Sequence, residues 1–343
     1  MPQQSYNVVV VGIGAVGKEM IRLLRARKFP IKSLTILARS EREEVIDGEA
    51  YPVKPASPEA FEGMDFAFFA GTEGAKGASM TLGWEAVKRG CVVVDNGDDF
   101  RMDERVPLVV PEVNSEALRQ HQGLVANPNC STIIALMALA PIHRAAGVRR
   151  LVACTYQAVS GSGSAAVAEL EAQTRAWVQG EDAPPQAYPH PIAFNVLPQI
   201  GSVKDDSGAT TEEQKMRRET HKILGDARMK ISCTCVRVPV FNGHSEALHM
   251  ELDKLLSVEE AREILSAAEG VELVDDVENA TYPMPIHASG RDKTLVGRVR
   301  PDNAFDGPGL ALFVAGDNLW KGAALNTIQI AEKMVEMGLD RVP

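Results

Sequence analysis

Short β-branched runs alternate with amphipathic stretches through the first part of the chain. NVVVV (7–11), LTILA (34–38), FAFFA (66–70), CVVVD (91–95) and LVA (124–126) predict strands, and helices are predicted near 15–28 and 75–89. Nearly unbroken apolar strands separated by helices predict a parallel sheet covered on both faces, the nucleotide-binding half of the molecule. From about residue 150 the rhythm changes. LVACTY (151–156), ISCTCVRV (231–238) and EALHMEL (246–252) alternate in character, with Leu248, Met250 and Leu252 sharing a face. That pattern predicts a mixed or antiparallel sheet with one covered face. Residues 180–211, rich in Pro, Gly, Asp and Ser, predict a loop, either a lid or a subunit arm. LALFVA (310–315) predicts another buried strand. Ala323, Ile328, Ile330, Ala331 and Met334 predict a final helix from Gly322 to about Met337 that packs back on the first domain.

Composition narrows the possibilities. A chain of 343 residues with 45% hydrophobic content fills two ordinary cores. The net charge of −10, with Lys and Arg scattered among acids, argues against nucleic acid and anionic membrane as partners. No apolar run approaches the ~20 residues that cross a bilayer, and MPQQSYNVVVVGIG passes straight from polar residues into a strand, unlike a signal peptide. The five cysteines (91, 130, 154, 233, 235) lack paired spacings, so neither a metal site nor a disulfide framework is expected, and a reducing cytoplasm fits best.

Gly12, Gly14 and Gly17, with Ile13, Ala15 and Val16 between them, form GIGAVG after a strand and before the helical KEMIRLLRAR. Glycines there let the backbone turn tightly and approach a pyrophosphate, which then meets the helix N-terminus. At the end of the second strand, where an NAD enzyme places an acid, stand Arg39 and Ser40. A guanidinium and a hydroxyl suit a 2′-phosphate, which favours NADP; alternatively Arg39 pairs with Glu41, Glu43 or Glu44.

Cys130, in NPNCST (127–132), precedes the apolar helix IIALMALA, which is expected to stop at Pro141. A cysteine at a helix N-terminus gains thiolate character from backbone N–H groups and the helix dipole. Ser131 and Thr132 are candidate caps, and Asn129 a candidate donor to a developing oxyanion. The alternative is a small buried cysteine beside a capping motif, the reading assigned to Cys91, Cys154, Cys233 and Cys235. In RVPVFNGHSE (237–246) a Gly-containing turn presents His244, a natural proton shuttle, and Arg237 offers a fork for a carboxylate. Histidines 121, 143, 190, 221, 249 and 287 lack comparable surroundings.

NPNCST, YQAVSGSG (156–163), EEQKMRRET (212–220), RVPVFNGHSE and DNLWKGAALNTIQIAE (317–332), in this order, resemble the aspartate-β-semialdehyde dehydrogenase family over nearly the whole chain. The resemblance implies an α/β fold. A Rossmann-like parallel-sheet dinucleotide-binding domain (1–129 plus 318–343) would bind NADP. An α+β catalytic and dimerisation domain with a mixed sheet (130–317) would complete it. It implies NADPH-dependent reductive dephosphorylation of L-β-aspartyl phosphate to the semialdehyde with release of inorganic phosphate, in lysine, threonine and methionine synthesis. It also implies a homodimer or dimer-based tetramer.

Residue by residue, the resemblance makes Cys130 the thioester nucleophile and His244 the acid/base. Gln157 would orient the acyl group, Arg237 would hold the α-carboxylate and Glu212 would meet the α-ammonium. Arg101 and Lys215 would bind phosphate, and Ser160, Gly161 and Asn318 would touch the cofactor. Without the resemblance, Glu212 and Lys215 read as a solvated helix face with an i,i+3 pair. Two departures stand out: Ile13 replaces a small hydroxyl residue of the usual glycine loop, and DNGDDFRM, with Asp98 and Asp99, replaces DNSSAFRM. Another acyl-phosphate reductase, such as an N-acetyl-glutamyl-phosphate reductase, and a catalytically silent nucleotide-binding paralogue are the alternatives.

Overall fold

Val8, Val9 and Val10 are fully buried because they lie in a central strand with both faces covered, as their unbroken apolar character requires. The computed structural model describes residues 5–71 and 77–343 and separates them into two units. One runs to Pro128 and includes Ala323–Pro343; the other is Asn129–Gly322.

The first unit contains β1 (Tyr6–Val11), β2 (Ile31–Ala38), β3 (Arg42–Ile46), β4 (Glu49–Pro55), β5 (Phe66–Phe69), β6 (Val92–Asp95) and β7 (Leu124–Ala126), in the order β3-β4-β2-β1-β5-β6-β7. All neighbours are parallel except the β3–β4 hairpin. Its helices include Ala15–Ala26 and Ala78–Lys88; positions 75 and 76 of the second expected helix lie outside the described residues. The hairpin was not expected. Its signal is Asp47-Gly48, where both residues adopt positive φ (52° and 83°), as a tight two-residue turn between strands demands. The helix Leu325–Met337 is held here by Asn326, whose Nδ2 donates to Val109 O (3.0 Å) and Asn127 Oδ1 (2.7 Å).

The second unit contains β8 (Val148–Gln157), β9 (Lys230–Arg237), β10 (His244–Leu252), β11 (Val271–Leu273), β12 (Thr294–Pro301) and β13 (Gly309–Gly316), ordered β11-β12-β13-β10-β8-β9. The sheet is mixed: β8–β9 and β11–β12 are parallel, and the other neighbours antiparallel. Leu248, Met250 and Leu252 are fully buried on the face covered by the helix Cys130–Ala146. This helix does not stop at Pro141. Proline removes one backbone donor, but Ile142 and Ala146 beyond it are buried, and that packing carries the helix on to Gly147.

No helix or named strand lies between Gln179 and Thr211, yet the segment is tethered. The Glu169 carboxylate accepts from the N–H groups of Gln186 (2.7 Å) and Ala187, and Gln173 Oε1 from those of Ile192 (2.9 Å) and Ala193 (3.0 Å). Leu197 exchanges both backbone hydrogen bonds with Arg237, each 2.9 Å. Among the described residues no helix is long and apolar enough to cross a membrane.

Candidate active site

Cys130 is the first residue of its helix and is half-buried. The cap is Asn129, not Ser131 or Thr132. Asn129 Oδ1 accepts from the Ser131 (3.0 Å) and Thr132 (3.2 Å) N–H groups, while both hydroxyls lack a partner among the described residues. The preceding extended residue is the one whose side chain can turn back on those amides. Asn129 is occupied elsewhere too, with Nδ2 donating to Glu212 Oε1 (2.9 Å) and its backbone N–H to Glu219 Oε2 (2.6 Å). Gly322 lets the chain pass against Cys130: a Cβ there would lie 2.8 Å from Cys130 Cβ. Burial pushes the thiols of Cys91 and Cys235 far up and that of Cys233 up to about 12, so these three are poor nucleophiles.

Glu212 lies on the helix Thr211–Leu224, which starts with a capping box between Thr210 and Glu213. Gln157 Nε2 donates to Glu212 Oε1 (3.3 Å) and to Thr155 Oγ1 (3.2 Å). Arg237 lies beside Gln157 in the parallel β8–β9 register, is 5% exposed and donates from Nη1 to Ala158 O (2.7 Å). The Ala158 N–H in turn donates to His244 Nδ1 (3.0 Å). His244 is fully buried, and its Nε2 has no partner among the described residues. Burial, and secondarily the Arg237 charge, hold its pKa well below the usual histidine range. Gly161 fits between the two: a Cβ there would lie 3.0 Å from Arg237 Nη1 and 3.2 Å from His244 Nε2.

Ser160 and Asn318 secure the turn that presents His244. Asn318 Nδ2 donates to Ser160 Oγ (2.9 Å), and Asn318 Oδ1 accepts from the Gly243 N–H (2.9 Å). Lys215 is half-buried, one turn beyond Glu212 on the same helix.

Sequence reasoning missed Glu246, two residues after His244 on the same face of β10. It is fully buried, and neither carboxylate oxygen has a partner among the described residues. Burial, then the charge of Glu212, hold its pKa well above the carboxylate range. Between that range and the raised value the unfolded chain binds fewer protons than the folded one, so stability falls as pH rises. Glu246→Gln is therefore expected to raise Tm near pH 8 and leave it unchanged near pH 4, as read by calorimetry. An equal shift at both pH values would contradict the protonated state.

In the first unit, Gly12 adopts a φ of +97°, and a Cβ at Gly17 would fall 2.1 Å from Gly12 O, so both positions require glycine. Gly14, the N-cap of Ala15–Ala26, is exposed and supplies no side-chain cap; no heavy atom lies within 4 Å of where its Cβ would stand. An open helix N-terminus of this kind fits a dinucleotide phosphate. Ile13 turns into the core at 7% exposure, which accommodates its departure from a hydroxyl residue. Ala15 is exposed and Val16 half-buried at the helix start. Arg39 and Ser40 are exposed after β2. Glu44 is engaged by Lys18 (2.6 Å) and Arg42 (3.3 Å), and Arg39 forms no ion pair among the described residues. Arg101 is 6% exposed and donates from Nε to Asn127 O (2.9 Å) and from Nη2 to Asn96 O (3.0 Å). The backbone carbonyl of Asp98 accepts from the Arg101 N–H (3.3 Å).

Residues 7–121 match the family model described as semialdehyde dehydrogenase, NAD binding domain, and residues 139–321 the one described as semialdehyde dehydrogenase, dimerisation domain. The aspartate-semialdehyde dehydrogenase of Aquifex aeolicus is 48% identical over 346 residues, covering 98% of this chain and 99% of that protein. The chain belongs to the aspartate-semialdehyde dehydrogenase family. The Bacillus subtilis member is 44% identical, with coverage of 98% and 99%. The crystal structure of aspartate semialdehyde dehydrogenase II from Vibrio cholerae, complexed with ASA, superposes with a TM-score of 0.91 at 40% identity, covering 97% of this chain and 99% of that one.

Aspartate-semialdehyde dehydrogenases are oxidoreductases, and membership places a nicotinamide-nucleotide-binding domain in this chain. The N-acetyl-glutamyl-phosphate reductase alternative is not favoured. Of the residues the resemblance assigned, the second unit brings Asn129, Gln157 and Glu212 into one hydrogen-bonded set, beside Arg237, Gly161 and His244. Glu219 and Glu246 are what the motifs did not single out. Glu219, seven residues after Glu212 and so on the same helix face, carries a pattern that could have pointed to it.

Proposed function

We propose that this chain converts L-β-aspartyl phosphate to L-aspartate-β-semialdehyde with NADPH, through a thioester on Cys130, and runs the reverse reaction with NADP and inorganic phosphate. The observation that carries this reading is the charge pattern around Cys130: buried Glu212 is tied to its cap, and buried Arg237 stands one strand from Gln157. A free amino acid offers an ammonium to the first and a carboxylate to the second. An acetylated amine would bring no cation to the buried Glu212 carboxylate, whose hydrogen bonds from Asn129 and Gln157 leave its charge to be met.

The Cys130 thiolate attacks the acyl phosphate carbon; the carbon–oxygen bond to phosphate then breaks, and Arg101 and Lys215 hold the departing anion. Gln157 orients the acyl group, and His244 serves the acyl oxygen as its acid/base group. A bound nicotinamide supplies the hydride that reduces the thioester carbonyl. Breakage of the carbon–sulfur bond then frees the aldehyde and restores Cys130. The glycine loop 12–17 and the Ser160–Gly161 turn with Asn318 are assigned to the cofactor, in domains bounded near 129 and 318.

NADP preference rests on Arg39, which no acid engages among the described residues, and on Ser40 beside it. Phosphate-dependent reduction of NADP with the semialdehyde tests the whole reading. Arg39→Ala is expected to lower kcat/KM for NADP about tenfold or more while leaving NAD nearly unchanged. Equal losses with both cofactors would remove Arg39 from 2′-phosphate recognition. We also infer a homodimer, or a tetramer built from it, through the sheet face opposite the nucleophile helix. There an apolar pocket of about 400 Å³ is lined by Tyr156, Val238, Tyr282 and Phe313. Light scattering checks this, and a monomer at micromolar concentration would overturn it.

A further inference from the structure

We propose that Asn127 is a positioning residue for phosphate: it sets the direction of the Arg101 guanidinium and is itself held by Asn326 of the last helix. This rests on the assignment of Arg101 to phosphate above. NPNCST carries two asparagines, and Asn127 is the one that the helix cap leaves unexplained.

The Arg101 fork is directed by the main chain. Its Nε donates to Asn127 O (2.9 Å) and its Nη2 to Asn96 O (3.0 Å). These two acceptors are uncharged, so they orient the fork without taking its charge. Asn96 and Asn127 each follow the last residue of a strand, β6 and β7, which are parallel neighbours. The carboxyl ends of parallel strands are where open α/β sheets place ligands.

Past the strand ends no ladder holds the two carbonyls, and other bonds take over. The Asn127 N–H donates to Asp95 O (2.7 Å), and its Nδ2 to Pro128 O (3.0 Å), so the planar peptide between Asn127 and Pro128 is gripped from both sides. The following proline restricts Asn127 further. The Asn96–Gly97 peptide is gripped in the same way, because the Gly97 N–H donates to Asp95 Oδ1 (3.0 Å) and the Asn96 N–H to Phe69 O (3.0 Å). Asn127 Nδ2 also donates to Asn96 Oδ1 (2.7 Å), which joins the two carbonyl carriers.

The Asn127 amide can face only one way. Pro128 O and Val109 O accept and never donate, so Asn127 presents Nδ2 to the first and Asn326 presents Nδ2 to the second. Asn127 Oδ1 is thereby turned to Asn326 Nδ2 (2.7 Å). Both asparagines are fully buried, where a missing partner is costly. Every residue in this chain of bonds belongs to the first unit. Small errors in the aim of a ligand-holding cation carry large penalties, so the relay is expected to reach phosphate.

Inorganic phosphate is the probe. It is varied in semialdehyde-dependent NADP reduction, and its binding is also read from ³¹P NMR line broadening, which needs no turnover. Asn127→Leu is expected to weaken phosphate about thirtyfold by both measures, with KM for semialdehyde and NADP moving less than about threefold. Asn326→Leu, one bond further from Arg101, should weaken phosphate about fivefold on the same pattern. Arg101→Lys keeps the charge and loses the fork. In that background either leucine change should alter phosphate binding by less than about twofold, because the route through the fork is already gone. Comparable losses for all three substrates, full additivity with Arg101→Lys, or folded variants that bind phosphate as the wild type does would each overturn the proposal. Should Asn127→Leu fail to fold, Asn326→Leu completes the same cycle. A wild-type chain that binds phosphate but does not turn over the semialdehyde would defeat the acyl-transfer reading, and the ³¹P cycle would still decide the role of Asn127.

Discussion

Cys130→Ala is expected to lower phosphate-dependent NADP reduction with the semialdehyde by at least about 10⁴-fold, the scale seen when a covalent nucleophile is removed from an otherwise intact site. The scaffold should survive the change. Asn129, not Cys130, caps the helix, and alanine is the better helix former, so stability should move by less than about 1 kcal/mol. Rapid alkylation at position 130 should be lost with turnover, and Cys91, Cys233 and Cys235 should not replace it, because burial raises their thiol pKa values. Retention of even one per cent of wild-type turnover would exclude the thioester route.

Arg237→Leu should cost about 10³-fold in kcat/KM, with most of the loss appearing as a raised KM. A buried site built around a carboxylate loses its bidentate partner, and the Ala158 carbonyl loses a 2.7 Å donor. The strand itself should persist, since the Arg237 backbone is paired with Leu197 on one side and β8 on the other. Arg237→Lys keeps the charge without the planar fork and should fall between wild type and leucine. A normal KM in Arg237→Leu would assign the α-carboxylate to another group.

The parallel sheet and the alternating face of β10 were legible in the sequence because burial on one or two faces writes a direct periodicity. The β3–β4 hairpin escaped that reading. REEVI and EAYPVKP are largely exposed and carry little apolar pattern, so only Asp47-Gly48 announced them. Cys130 and the residues proposed to work with it stood out as motif residues, but the hydrogen bonds among them did not. Whether an asparagine caps a helix or donates to an oxyanion depends on what else meets its amide, and Glu212 and Glu219 come from more than eighty residues away in the chain. Glu246 was invisible for a related reason: a glutamate in a strand reads as polar and solvent-facing until the sheet shows which side it occupies.

The tether at Leu197 has a consequence for solubility. β9 is the last strand of its sheet, with one side open to pairing by a foreign chain. Two of its amides are closed off: Cys235 N–H donates to Glu213 Oε1 (3.1 Å), and Arg237 N–H to Leu197 O (2.9 Å). The segment that pairs with the Arg237 backbone thus also guards an edge against intermolecular β-pairing, and variants that loosen residues 180–211 should first reveal themselves as aggregates.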